Sequence, residues 1–297
     1  MRMRTAYLVI WFALAYTVVV PGAMSAQTAL RSGSFQTSDG VELHYLEAGS
    51  GPSLVFVPGW TMPAEVWEPQ LRHFAATHRV VAFDPRGHGR SGKPTYGYHP
   101  LRRSRDIFEL LEHLGGEPAV VVAWSLGVPE AVVSAQESGA DGIRAFILVD
   151  WDIAGHEPAD DDTWAFIRSR VEGVLLDRPA YTRALIASLY ATPQPPAYLE
   201  RITQAALGMP DIAAALVTAN VALIGPLDLR PALRAVDRPA LLVYSSLEWA
   251  VLAAEKARRD RPDDRVEVMD GTSHALFVDR PDEFNRLVED FLASLPD

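Results

Sequence analysis

The sequence predicts an α/β protein: a mostly parallel, twisted sheet covered by helices on both faces, with a helical cap inserted late in the chain. Three observations predict it. Short runs with no polar face recur at Ser53–Val57, Arg79–Phe83, Ala119–Ala123, Ile143–Val149 and Ala240–Tyr244, the form of strands buried on both sides. Helix-compatible segments separate them, as parallel pairing requires. The alternation lapses only between about residues 153 and 236, a helix-rich stretch broken by Pro193, Pro195 and Pro196. That stretch reads as an insertion at the carboxyl edge of the sheet, where open α/β sheets bind ligands.

Taken in order, residues 34–48 alternate around Asp39-Gly40, a dipeptide favoured in hairpin turns. The strand Ser53–Val57 ends at Pro58-Gly59-Trp60, and a helical pattern covers Ala64–Ala76. The strand Arg79–Phe83 leads into a glycine-rich loop. An amphipathic helix follows near Leu101–Leu114, with Ile107, Leu110, Leu111 and Leu114 on one face. The strand Ala119–Ala123 passes through Ser125 into a helix over 127–138, whose Pro129 sits in the first turn, where proline is tolerated. Ile143–Val149, Ala240–Tyr244 and Arg265–Met269 complete the strands, and a helix closes the chain. No repeat or low-complexity linker divides the chain, so residues 27–297 are expected to form one domain.

Composition limits the function. Of 297 residues, 48% are hydrophobic and 22% charged, ordinary for a globular protein. A net charge of −11 with no basic stripe argues against a nucleic-acid partner. Arg2 and Arg4, an apolar stretch from Thr5 to Val20, then Pro21-Gly22 and Ala23-Met24-Ser25-Ala26 have the order of a secretory signal peptide. The stretch is short for a span of about 20 residues, so residues 1–26 are expected to be cleaved. The mature protein would then carry about −13, keep no stable membrane anchor and be secreted or periplasmic. The absence of cysteine excludes disulfides, thiolate metal sites and a cysteine nucleophile. No metal or organic cofactor is implied.

The chemistry concentrates at Ala123-Trp124-Ser125-Leu126-Gly127, a small-x-Ser-x-Gly turn between an apolar strand and a helix. Such a turn holds a serine hydroxyl clear of the sheet and needs small flanking residues, because strand and helix pass closely there. A serine needs a base, and the base a carboxylate. His274, in Gly271-Thr272-Ser273-His274, is the one histidine of eight beyond every strand and is the base candidate. The other histidines outside the glycine-rich loop, His44 among them, read as surface or capping residues. Two acids follow strand ends: Glu248, favoured from its loop position, and Asp150, the alternative. For an oxyanion hole, the N–H groups of Leu126 and Trp60 are the candidates, with Gly59 letting the backbone turn. Trp124 and Trp249 lie beside these positions as candidate walls of a substrate pocket.

The chain resembles the α/β-hydrolase fold superfamily over nearly everything after residue 33. Pro58-Gly59-Trp60 resembles its His-Gly-x oxyanion motif, and Gly271-x-x-His274 its base motif. Asp84-Pro85-Arg86-Gly87-His88-Gly89-Arg90-Ser91 is similar to its loop after the next strand, a structural element there. Trp60, Glu65-Val66-Trp67 and Trp124-Ser125-Leu126-Gly127 resemble small serine carboxylesterases and cofactor-free haloperoxidase/perhydrolase-type members. The resemblance implies a serine hydrolase cleaving a small-molecule carboxylic ester, thioester or lactone through an acyl-enzyme. Perhydrolysis or peptidase-like cleavage on the same triad is the alternative. A ligand-binding member without turnover is a third reading, which the substituted positions Ala123, Pro58 and Glu248 keep open.

Overall fold

The computed structural model describes residues 29–138, 140–155, 161–224 and 227–296. Residues 1–26, expected to be a signal peptide, and His156 lie outside the described residues. Eight strands form one sheet: β1 (Arg31–Gln36), β2 (Glu42–Ala48), β3 (Ser53–Val57), β4 (Arg79–Phe83), β5 (Ala119–Trp124), β6 (Ile143–Val149), β7 (Ala240–Ser245) and β8 (Arg265–Met269). Their order is β1-β2-β4-β3-β5-β6-β7-β8. The pairings β1–β2 and β2–β4 are antiparallel and all the others parallel. The expected α/β architecture is the one observed.

Successive side chains of a strand point to opposite faces, so each central strand feeds two cores. In β5, Val121 and Ala123 enter one core, while Val120, Val122 and Trp124 enter the other. The first core lies under α2 (Pro100–His113), α3 (Gly127–Ser138), α8 (Arg230–Val236) and α9 (Glu248–Asp260). The second lies under α1 (Glu68–Phe74), α10 (Leu276–Asp279) and α11 (Pro281–Ser294). Every residue of β5 and β7 is buried. That is why these strands read as unbroken apolar runs.

Two helices differ from the sequence expectation for identifiable reasons. The segment after β3 is a 3-10 turn, Ala64–Trp67, followed by α1, because Pro69 cannot donate within a continuous α-helix but fits a first turn. Between β6 and β7 the chain forms α4 (Asp161–Leu176), α5 (Arg178–Ser188), α6 (Pro196–Leu207), α7 (Asp211–Ile224) and then α8. Leu233 and Val236 of α8 join the core beneath the sheet, so the cap itself is α4 to α7. A separate apolar cluster, with Val174, Met209, Ala213 and Val217 packed around Leu126, seats the cap on the serine turn. The buried Arg178 guanidinium bonds the carbonyls of Met209 and Ala206 and the Asp211 carboxylate, tying α5 to α6 and α7.

The loop Asp84–Ser91 is a buried polar knot. Asp84 accepts from Ala64 N–H at 2.7 Å, Arg90 N–H at 2.9 Å and His44 Nδ1–H at 2.9 Å. Burial alone would raise its carboxyl pKa, and these bonds reverse the direction and hold it low. His44 is therefore a buried partner of Asp84, not the surface or capping residue its place in the sequence suggests. Fully buried Arg86 pairs with Asp106 and Asp39. His88, also fully buried, has its imidazole pKa driven down to about 3 by desolvation and the nearby charge of Arg103. Among the described residues no single helix is long and apolar enough to cross a membrane. No group of three or more His, Asp or Glu among them is placed to hold a metal ion.

Candidate active site

β5 hands over to α3 through Ser125, whose φ of 53° lies in the left-handed region. A non-glycine residue pays for that conformation and keeps it only where its surroundings enforce it. The spacing of small residues has a measurable cause. A Cβ on Gly127 would stand 2.9 Å from Val57 Cγ1 and 3.0 Å from the carbonyl oxygens of Val57 and Pro58. Ala123, fully buried, shows that one methyl fits on the other side of the turn. A Cβ on Gly59 would stand 3.1 Å from Ser125 Cβ. Gly59 thus allows close approach to the serine, while the left-handed residue of this turn is Thr61, with φ 56°.

His274 bridges the serine and a carboxylate, and the carboxylate is Asp150. Its Nδ1 lies 2.7 Å from Asp150 Oδ2 and its Nε2 lies 2.8 Å from Ser125 Oγ. A carboxylate only accepts, so Nδ1–H donates and Nε2 is left to accept the serine proton. Asp150 is completely buried and held by Ser245, whose N–H donates at 2.7 Å and whose hydroxyl donates at 3.1 Å. The favoured acid, Glu248, is not at the histidine; it opens α9 with its side chain in solvent. Parallel neighbours β6 and β7 end at the same rim, so either could supply an acid. Asp150 turns into the site because its backbone adopts φ 54° while its N–H stays bonded to Val243 O at 2.9 Å. The strand end expected to supply the acid supplies Ser245 instead.

The histidine loop is braced on two sides. Ser246 Oγ donates to Thr272 O at 3.0 Å and accepts from Thr272 N–H at 3.2 Å. Asp279 accepts from Ser273 N–H at 2.8 Å and Ala191 N–H at 3.0 Å on Oδ2, and from Thr192 N–H at 3.0 Å and the Thr192 hydroxyl at 2.8 Å on Oδ1. Ala275 N–H donates to Leu189 O at 2.9 Å, joining the loop to the end of α5. Trp124 belongs to this bracing more than to a substrate wall. Its indole N–H donates to His274 O at 2.8 Å, and its buried ring packs against Trp67 and Phe277. It borders only a small annex of the cavity because its position puts it on the core side of β5.

Ser125, His274, Trp60, Leu126 and Trp249 border one cavity of about 450 Å³ between the sheet edge and the cap. Among the described residues neither the Trp60 nor the Leu126 N–H is engaged by a protein acceptor, while Ser125 N–H is bonded to Val149 O. Trp249 is 41% exposed, with its ring centroid 6.1 Å from that of His274. Cap residues Arg170, Leu185 and Leu189 form the opposite wall. Sequence reasoning missed Ser245, Asp279 and Arg170, which carry no local motif and acquire meaning only through tertiary contact.

A model of the alpha/beta hydrolase family matches residues 54–287. The chain is 29% identical over 260 residues to a 2-(acetamidomethylene)succinate hydrolase from Mesorhizobium japonicum, covering 85% of this chain and 92% of that protein. It is 26% identical over 274 residues to a non-heme chloroperoxidase from Kitasatospora aureofaciens, covering 86% and 98%. Among solved structures, a bromoperoxidase from Bacillus anthracis superposes with a TM-score of 0.79 at 21% identity, over 89% of this chain and all of that one. An esterase from Exiguobacterium antarcticum superposes equally well, at 0.79 and 20% identity, over 88% and 99%.

Proposed function

The chain belongs to the alpha/beta hydrolase family, and we propose that it is a serine hydrolase that cleaves a small carboxylic ester through an acyl-enzyme. The observation that carries this reading is the unbroken line Ser125 Oγ–His274–Asp150, with links of 2.8 and 2.7 Å, opening into a cavity. Ser125 Oγ attacks the ester carbonyl and passes its proton to His274 Nε2, and a C–O bond forms as the carbonyl π bond opens. Asp150 fixes the tautomer and stabilises the imidazolium. The Trp60 and Leu126 N–H groups receive the oxyanion. Collapse expels the alcohol, which takes the proton from His274. Water then attacks the acyl-enzyme, with the same histidine as base, and releases the acid and free Ser125.

The similar proteins carry the names hydrolase, esterase and non-heme chloroperoxidase. Hydrogen peroxide in place of water at the second step would yield a peracid from the same intermediate, which is how a haloperoxidase-type name accords with this triad. The test is hydrolysis of p-nitrophenyl esters from acetate to decanoate by residues 27–297. Ser125→Ala is expected to abolish turnover and labelling by a fluorophosphonate, and unchanged turnover in that variant would overturn the reading. Export to the periplasm or medium rests on the pattern of residues 1–26. Sequencing the amino terminus of the exported protein would show cleavage near Ser25 or Ala26.

A further inference from the structure

Among the described residues that border the cavity, Arg170 is the one arginine or lysine, and it shares the cavity with Ser125. Arg170, on α4 of the cap, borders both the main cavity and the annex that reaches Gly59, Trp124 and Ser125. The two acids on the cavity wall are both engaged. Asp150 is occupied by His274 and Ser245, and Asp152 by Lys256 at 3.0 Å and Ala154 N–H at 2.9 Å. Among the described residues that border the annex, Arg170 and His274 are the basic side chains.

The arginine is seated by its surroundings. A Cβ on Gly173, one turn along α4, would stand 2.3 Å from the Tyr181 ring, so glycine there lets Tyr181 lie against the helix. The other side of Tyr181 meets Trp60 edge-on, with ring centroids 6.4 Å apart. The Arg170 charge acts on the Tyr181 hydroxyl, and Tyr181 in turn contacts Trp60, the oxyanion candidate. A guanidinium has five N–H donors in a planar fork, so it can engage a neighbour and still grip a carboxylate. A protein of net charge −11 repels anions in general, which leaves a cation on the cavity wall with a selective role.

We infer that the substrate is a small anionic ester or lactone, and that Arg170 binds a carboxylate lying beyond the scissile carbonyl. This rests on the serine hydrolase reading above and names the substrate class for that site. A charge-assisted hydrogen bond of this kind discriminates by at least about tenfold.

The experiment compares kcat/KM for matched pairs with the carboxylate in either half of the ester. Mono-p-nitrophenyl glutarate is set against p-nitrophenyl pentanoate for the acyl half, and para-acetoxybenzoate against para-acetoxybenzamide for the alcohol half. The wild type is expected to favour the anion at least about tenfold in one pair, and the pair that shows it locates the carboxylate. Arg170→Met should collapse that ratio, and Arg170→Lys should restore part of it. Should Arg170→Met not fold, inhibition of the wild type by glutarate against glutaramide on a neutral ester reads the same preference. Ser125-dependent cleavage of neutral esters with no anion preference, or with a preference that survives Arg170→Met, overturns the inference and leaves the hydrolase reading standing. Failure to cleave any ester overturns both.

Discussion

Asp150 and Glu248 follow the ends of adjacent strands, β6 and β7, and differ in what their backbones do there. Asp150 takes a left-handed φ and buries a carboxylate that already accepts from Ser245 and His274. Glu248 begins a helix and points to solvent. Asp150→Asn would present an amide to His274 Nδ1 and favour the wrong tautomer. A loss of kcat of about a thousandfold or more is expected on the best p-nitrophenyl ester. Glu248→Gln should stay within about twofold, because an exposed carboxylate at a helix start contributes little beyond its effect on the helix dipole. The reverse ranking would show that the acid acts from a different conformation. Ser125 and His274 were legible because each sits in a local pattern that its own neighbours dictate. The choice between Asp150 and Glu248 was not, because a single backbone angle and a tertiary contact with Ser245 decide which strand end reaches the histidine.

The histidine loop and the cap work as one element. Asp279 receives Ser273 N–H from the loop and three donors from Ala191 and Thr192 of the cap, while Ala275 N–H ties the loop to Leu189. A carboxylate accepting this many bonds pins His274 to the α5–α6 connection, so this end of the cap cannot lift without moving the base. Asp279→Asn keeps the shape but replaces an acceptor oxygen by a donor that faces donors. It is expected to lower kcat about tenfold with little change in KM, and to speed amide exchange at Ala191 and Thr192. A purely structural role would lower thermal stability and speed that exchange but leave kcat as in the wild type. The strands were legible from their unbroken apolar runs. The cap was legible only as helix-rich, because the pairing of its short helices depends on contacts such as Arg178 with Met209 and Asp211. The transfer of α8 to the sheet's own core had no local signature at all.

For the whole molecule, the buried polar layer around the Asp84–Ser91 loop couples stability to pH. His88 is fully buried between backbone and charge, with its Nδ1 on Arg86 O at 2.9 Å, and its pKa falls from 6.5 to about 3. The direction of the effect follows from which state takes up the proton. Between those two values the unfolded chain binds a proton that the folded chain refuses. Stability is therefore complete above pH 6.5 and is lost as pH falls toward 3, by up to about 1.4 kcal/mol per pH unit from this one group. Asp39, held at about 2 against its burial by Arg86 and Thr37, adds a loss of the same sign only below the ordinary aspartate value of 3.8. Urea unfolding midpoints should thus decline from about pH 6.5 to pH 4 before carboxylates titrate in earnest. His88→Asn retains a donor for Arg86 O but has no proton to gain. It should flatten the decline while costing some stability at neutral pH. An equal slope in wild type and variant would mean that His88 is hydrated or protonated in the folded state, and the acid sensitivity would then have to come from the buried ion pairs of Arg86 and Arg103.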